Sequence, residues 1–141
     1  MKHQMIGMAI AAISLTSIGA CAQVHVPQMA KEAFMKAYPH VAHPKWETEK
    51  GNFEGNWKQN GYDHSAMFSP TGKFVGSETD INPKGLPAMA KDYMTKNVHA
   101  NVKEVSLNKD AKGSITFEAD VKGKAYIFDK GGNFLKVGED D

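Results

Sequence analysis

Arginine is absent from this 141-residue chain, and cysteine occurs once, at Cys21. All 17 basic side chains are therefore lysines, set against 16 carboxylates. A balanced chain has no broad positive field, and without arginine it lacks the bidentate fork that usually grips phosphates and guanine edges. Both absences argue against nucleic acid as a partner. A single cysteine excludes a disulfide framework and a thiolate metal site, so stability must come from packing. The chain also lacks an H-E-x-x-H zinc helix and a G-x-S-x-G nucleophile turn, local signatures of metalloproteases and of serine hydrolases.

The N-terminus does contain an apolar run. Lys2 and His3 are followed by Met5 to Ala20, interrupted only by small and hydroxyl residues, and then by Gly19-Ala20-Cys21-Ala22. This layout predicts a secretory signal peptide over 1–22, too short and weakly flanked to be a membrane span. Ala20-Cys21-Ala22 fits cleavage before Gln23. Ile18-Gly19-Ala20-Cys21 fits a lipobox equally well, with a leader of 1–20 and lipidation of Cys21. Either way the chain is expected to be exported, as a periplasmic or secreted protein or as a lipoprotein held at the membrane only through Cys21.

The remainder, 23–141, is the length of one domain, and it repeats itself. Val26-Pro27-Gln28-Met29-Ala30-Lys31 returns as Leu86-Pro87-Ala88-Met89-Ala90-Lys91, an offset of 60 residues. Ala66 to Val75 returns at the same offset as Tyr126 to Leu135, whereas Phe53-Glu54 matches Phe117-Glu118 at 64. Two repeats are expected, about 25–80 and 85–137.

Each repeat reads as a helix followed by a meander. Pro27 suits a first helical turn, Val26, Ala30, Phe34 and Ala37 form an apolar stripe, and Tyr38-Pro39 ends it. Leu86, Ala90, Tyr93, Met94 and Val98 repeat the stripe. Phe53, Gly55 and Trp57 alternate with Glu54, Asn56 and Lys58, as in a strand with one apolar face, and Asn60-Gly61 predicts a hairpin turn. Pro44 to Glu49, Tyr62 to Phe68, Lys73 to Thr79 and Val102 to Leu107 are further strands. The expected core, shared by the two repeats, is Phe34, Phe53, Trp57, Phe68, Phe74, Met94, Phe117, Val121, Phe128 and Phe134.

The run Val26-Pro27, Ala30-Lys31, Phe34, Lys36 and Tyr38-Pro39, followed by Lys45-Trp46-Glu47, Phe53-Glu54, Asn60-Gly61 and Phe68 to Lys73, resembles the beta-lactamase-inhibitor-like, PepSY-like proteins of bacterial envelopes. The second copy fits the same pattern from Leu86-Pro87 to Phe134. The resemblance implies an α+β fold in which two tandem helix-plus-antiparallel-meander repeats form a curved sheet with the helices on one face. It also implies inhibition of peptidases or regulation of exported proteins. It supplies no catalytic residues, and a shared fold does not transfer a target.

Candidate sites follow from the residues. His40 and His43 are spaced H-x-x-H, with His25 and His64 elsewhere, but zinc needs three or four converging ligands. They are weak metal candidates in a loop, and no cofactor is expected. Glu47, Glu49, Glu54, Glu78, Glu118 and Asp120 offer carboxylates for acid–base work, but they alternate along strands as a solvated face does. The sheet face away from the helices is expected to carry Glu54, Asn56, Lys58, Ser65, Met67, Val75 and Ser77, with Thr116, Glu118, Asp120, Lys122 and Ile127. Trp46, which has no aromatic counterpart in the second copy, is a candidate anchor. The expected function is non-enzymatic: binding of a protein or peptide of the cell envelope through Trp46, Glu54, Asn56, Lys58, Met67, Glu118 and Asp120. The alternatives are a small-ligand or metal-binding protein using the loop histidines, and a hydrolase.

Overall fold

A computed structural model describes residues 23–139. The expected signal peptide and Cys21 lie outside these residues. The elements run α1 (Gln28–Ala37), β1 (Lys45–Glu49), β2 (Asn52–Gln59), β3 (Tyr62–Phe68), β4 (Phe74–Ile81), α2 (Ala88–Tyr93), β5 (Glu104–Asp110), β6 (Ile115–Val121), β7 (Lys124–Asp129) and β8 (Phe134–Glu139). The eight strands form one open antiparallel sheet in the order β1 to β8. The class is α+β, with one helix before each set of four strands.

The helices form where the sequence places them, but they end differently. In α1 the Lys31 N–H reaches Pro27 O at 3.1 Å, and the Tyr38 N–H closes on Phe34 O at 2.8 Å, just before Pro39. The second apolar stripe predicts a helix of similar length, yet α2 stops at Tyr93 and continues as a π-turn over Met94–Val98. Thr95 Oγ1 donates to Lys91 O and Asn97 Nδ2 to Tyr93 O, each at 3.0 Å. Side chains that bond backbone carbonyls in this way compete with regular helix.

Three hairpins turn on two residues of positive φ, at Lys50-Gly51, Asn60-Gly61 and Lys122-Gly123. This is the pairing whose twist matches that of antiparallel strands. Lys122, expected on the sheet face, therefore lies in a turn. The wider β3–β4 and β7–β8 turns both lead into a bulge, which leaves Val75 and Leu135 as the extra residues beside the pairs Phe68–Phe74 and Phe128–Phe134. Val75 thus sits at an irregularity and not in the regular alternation of the face.

Both helices cover the same face. In-register pairs share a face, so Trp57, His64, Thr79 and Leu107 lie on one side, as do Ile81, Val105 and Ala119. The core is divided, not shared as expected. Val26, Ala30, Phe34, Val41, Ala66 and Phe68 are buried beneath α1, and Leu86, Ala90, Met94, Val105, Ala119, Val121 and Phe128 beneath α2. Ile81 of β4 packs against the second cluster and stitches the two along the sheet. Phe134 departs from the expected core at 37% exposure. It belongs to the edge strand β8, where only one face is covered, by Tyr93 stacked on it at 4.4 Å.

The sheet's wide turns carry the helix starts. Gly132 has φ +91, and a Cβ there would lie 2.9 Å from Pro87 Cβ and 3.0 Å from Ala90 N. Gly132→Ala combines a disfavoured backbone region with a clash against the first turn of α2. We expect a loss of about 2–4 kcal/mol, read as a lower urea midpoint. Stability within about 0.5 kcal/mol of wild type would show that this contact is not required.

Candidate functional site: the uncovered sheet face

Register defines the face that the helices leave bare. Glu54 lies opposite Met67, Asn56 opposite Ser65, and Ser65 opposite Glu78. Glu78 lies opposite Asn108, Ser106 opposite Glu118, and Glu118 opposite Ile127. Glu54, Asn56, Lys58, Met67, Glu118 and Asp120, all expected here, are therefore brought together on one surface. Ser77 is not. It pairs with Ala66 on the helix-covered side, where its hydroxyl hydrogen-bonds Tyr38, whose own pKa is raised by burial.

Trp46 also lies on the covered side, half-buried and edge-on to Phe34 at 5.1 Å. Its indole completes the aromatic cluster under α1, away from the other candidates. His64 stacks on Trp57 at 5.2 Å and meets Thr79 Oγ1 at 3.2 Å. His40 Nε2 is 3.1 Å from Gln59 Oε1. Among the described residues no three His, Cys, Asp or Glu side chains converge on a common metal position.

The face differs from a solvated one in its burial. Glu54 and Glu118, equivalent in the two copies, are each only 5% exposed, with Met67 and Ser106 at 3% and Ser65 at 6%. No described helix covers them, so neighbouring side chains of the same face bury them. Ser65 and Asn56 hydrogen-bond the Glu54 carboxyl and Ser106 that of Glu78, at less than ideal geometry. Asn108 uses its amide hydrogen toward Glu118 Oε2, at 3.1 Å.

The electrostatics follow from this crowding. Burial, reinforced by Glu118, Asp80 and Asp120, pushes the Glu78 carboxyl up to about 8, while the nearby Ser106 hydroxyl partly opposes the shift. Burial also raises Glu54, against the pull of Ser65 and Asn56, and it raises Asp80. Glu47 sits directly opposite Glu54, and Glu104 opposite Asp120, an arrangement that costs stability in an antiparallel pair. Glu104, Ser106 and Asn108 are not among the expected face residues: the strand read over Val102 to Leu107 stops short of Asn108, and only register on β4 and β6 decides which side Glu104 and Ser106 take. The alternation Glu104, Ser106, Asn108 was the available signal.

Comparison with protein families and with curated proteins finds no match. Solved structures do share the fold. A candidate periplasmic protein from Bacteroides eggerthii aligns with a TM-score of 0.68 at 19% identity, over 82% of this chain and 90% of its own. A DUF2874 family protein from Bacteroides ovatus aligns with a TM-score of 0.69 at 20% identity, over 82% and 89%. A BLIP-like protein from Bacteroides fragilis aligns with a TM-score of 0.66 at 18% identity, over 84% and 89%. The beta-lactamase-inhibitor-like resemblance is thus borne out in the fold.

Proposed function

We propose that this is an exported, non-enzymatic binding protein of the bacterial envelope that engages a protein or peptide through the uncovered sheet face. The observation that carries the reading is a broad face, left bare by both helices, on which β1 to β6 crowd Glu47, Glu54, Glu78, Asp80, Glu104, Glu118 and Asp120 together. Like charges opposed across neighbouring strands cost stability, and a partner laid across the face would relieve them. The fold neighbours support an envelope location, one being a candidate periplasmic protein. The domain is 23–141, two helix-plus-meander repeats of about 25–80 and 85–137. The recurrence of the bulge, the turn and the buried glutamate in both halves supports this division.

Trp46 is better read as core than as anchor, because Phe34 covers it. A pull-down from envelope extract, comparing wild type with an Asp80→Lys/Glu104→Lys variant, tests the reading. Both positions are exposed strand residues on the bare face, so folding should survive. Loss of a stoichiometric partner from the variant alone is expected. Equal recovery by both proteins would refute the face as the contact.

A second reading, acid–base hydrolysis, draws on Glu78, which is held protonated near neutral pH beside Glu118. A carboxylic acid kept neutral in this range is a group that hydrolases use as a general acid. Turnover of an envelope substrate that is lost in Glu78→Gln, with folding intact, would replace the binding reading.

A further inference from the structure

The outward surfaces of the two helices repeat a pattern that packing does not require. Met29 of α1 corresponds to Met89 of α2, Lys31 to Lys91 and Glu32 to Asp92, and Lys36 to Lys96 of the π-turn. All of these side chains are exposed, Met29 and Met89 at 58% and 57%. On the buried side, where packing does constrain the residues, Phe34 has instead become Met94 and Ala33 Tyr93. Met35, 61% exposed, adds a third apolar side chain to the outside of α1.

Charge follows the same division. Segments 28–37 and 83–98 hold five lysines and two carboxylates, an excess of three positive charges in a chain whose formal charge is +1. Lys91 Nζ donates to Lys84 O at 2.6 Å and so draws two of these charges together. The carboxylates that offset the excess include Glu54, Glu78, Asp80, Glu104, Glu118 and Asp120 on the opposite face. The domain is therefore polarised, positive and methionine-bearing over the helices and negative on the bare sheet.

Helix α1 packs on the strands of the first repeat and α2 on those of the second. The two like patches thus lie on the order of 20 Å apart, about four strand spacings. A protein would have to present the same chemistry twice at that separation. An anionic bilayer offers it everywhere, with phosphate to meet lysine and a headgroup layer that admits methionine. The start of the domain agrees. Val26 is buried beneath α1, and Cys21 stands only five positions before it, a reach of about 17 Å at full extension. A lipid on Cys21 would hold α1 at the membrane, and cleavage before Gln23 would leave this surface to act alone.

We propose that the helix side of the domain docks on an anionic lipid surface through Met29, Lys31, Lys36, Met89, Lys91 and Lys96. The uncovered sheet face is then turned away from the membrane, where a protein partner can reach it. This orientation does not depend on what that face binds.

The test is co-flotation of the mature protein beginning at Gln23, which carries no lipid, with vesicles of phosphatidylglycerol and phosphatidylcholine. Recovery is expected to exceed that with phosphatidylcholine alone and to fall as salt is raised. Lys31→Glu/Lys91→Glu should lower the partition coefficient about tenfold or more, and Met29→Ser/Met89→Ser should lower it several-fold. Lys45→Glu/Lys136→Glu, which makes the same charge change on the uncovered face, should bind like wild type. Every substituted position is exposed, and urea midpoints check that each variant folds. No preference for the anionic vesicles, or an equal loss in the two charge variants, would overturn the inference. So would a photoreactive residue at position 29 that labels a protein in the native envelope and not lipid.

Discussion

Truncating Phe34 to alanine is expected to cost about 3–5 kcal/mol, the usual range for a fully buried phenylalanine and a large share of a small domain's stability. The ring is 0% exposed. It meets Tyr38, Trp46, Trp57 and Phe68 at centroid separations between 5.1 and 6.0 Å. It also rests on the bare backbone of Gly55, where a Cβ would stand 2.6 Å from Phe34 Cε2. In the second copy the corresponding residues are Met94 and Ala119, both buried in one cluster. A rigid ring requires glycine beneath it, whereas a flexible thioether accommodates a methyl group. Gly55→Ala alone should therefore destabilise by about 1–3 kcal/mol through overpacking. In a Phe34→Met background the same change should be close to neutral. Urea unfolding of the four proteins in this cycle measures the coupling. Additive losses would show that the two positions do not share space.

The second large effect concerns pH. Glu78 holds its proton more tightly folded than unfolded, with a pKa raised from 4.5 to about 8. The native state then binds more protons than the unfolded chain between these values, so stability should fall as pH rises through that window. The groups facing Glu78 are Glu118 and Asp120 from β6, Asp80 from its own strand, and the uncharged Ser65, Ser106 and Asn108. The full shift corresponds to about 5 kcal/mol as an upper bound, and solvent screening at this partly exposed site reduces it to about 1–3 kcal/mol. Glu78→Gln keeps the shape and removes the ionisation. It should match wild type near the acid end of the window and exceed it above pH 8. Denaturant midpoints across the window check this. A variant whose stability fell with pH as steeply as wild type would assign the slope elsewhere. Glu54 and Asp80, both raised by burial, should leave a residual slope in the same direction.

The two effects divide the molecule into a face built for packing and a face held under electrostatic stress. The first was legible in the sequence. Apolar stripes at helical spacing located both helices, and the matched aromatics Phe53 and Phe117, Phe68 and Phe128 located the strands, because periodicity and hydrophobic burial act locally. Phe134 escaped that logic because its exposure depends on β8 having no neighbour on its outer side. The shortening of α2 was hidden in Thr95 and Asn97, whose carbonyl bonds compete with the helix only once the backbone is placed.

The second face was legible in membership but not in character. Alternation correctly assigned Glu54, Asn56, Lys58, Met67, Glu118 and Asp120 to one side and suggested a solvated surface. The burial of Glu54, Met67 and Glu118 is a collective property of the assembled sheet that no strand carries in its own residues. Register likewise decides that Glu104 opposes Asp120 and that Ser106 lies between Asp80 and Glu118. Stability lost to such opposition is of the kind that functional sites commonly retain.

Site-specific photocrosslinking in the native envelope tests the docking face most directly. A photoreactive residue replaces Asn108 at the centre of the uncovered face, and in a second protein it replaces Met35 on the outer surface of α1, which is 61% exposed. A discrete protein adduct from position 108, absent from position 35 and lost in the Asp80→Lys/Glu104→Lys background, is the predicted result. The same adduct from position 35, or no adduct at position 108 in any growth condition, would contradict the account.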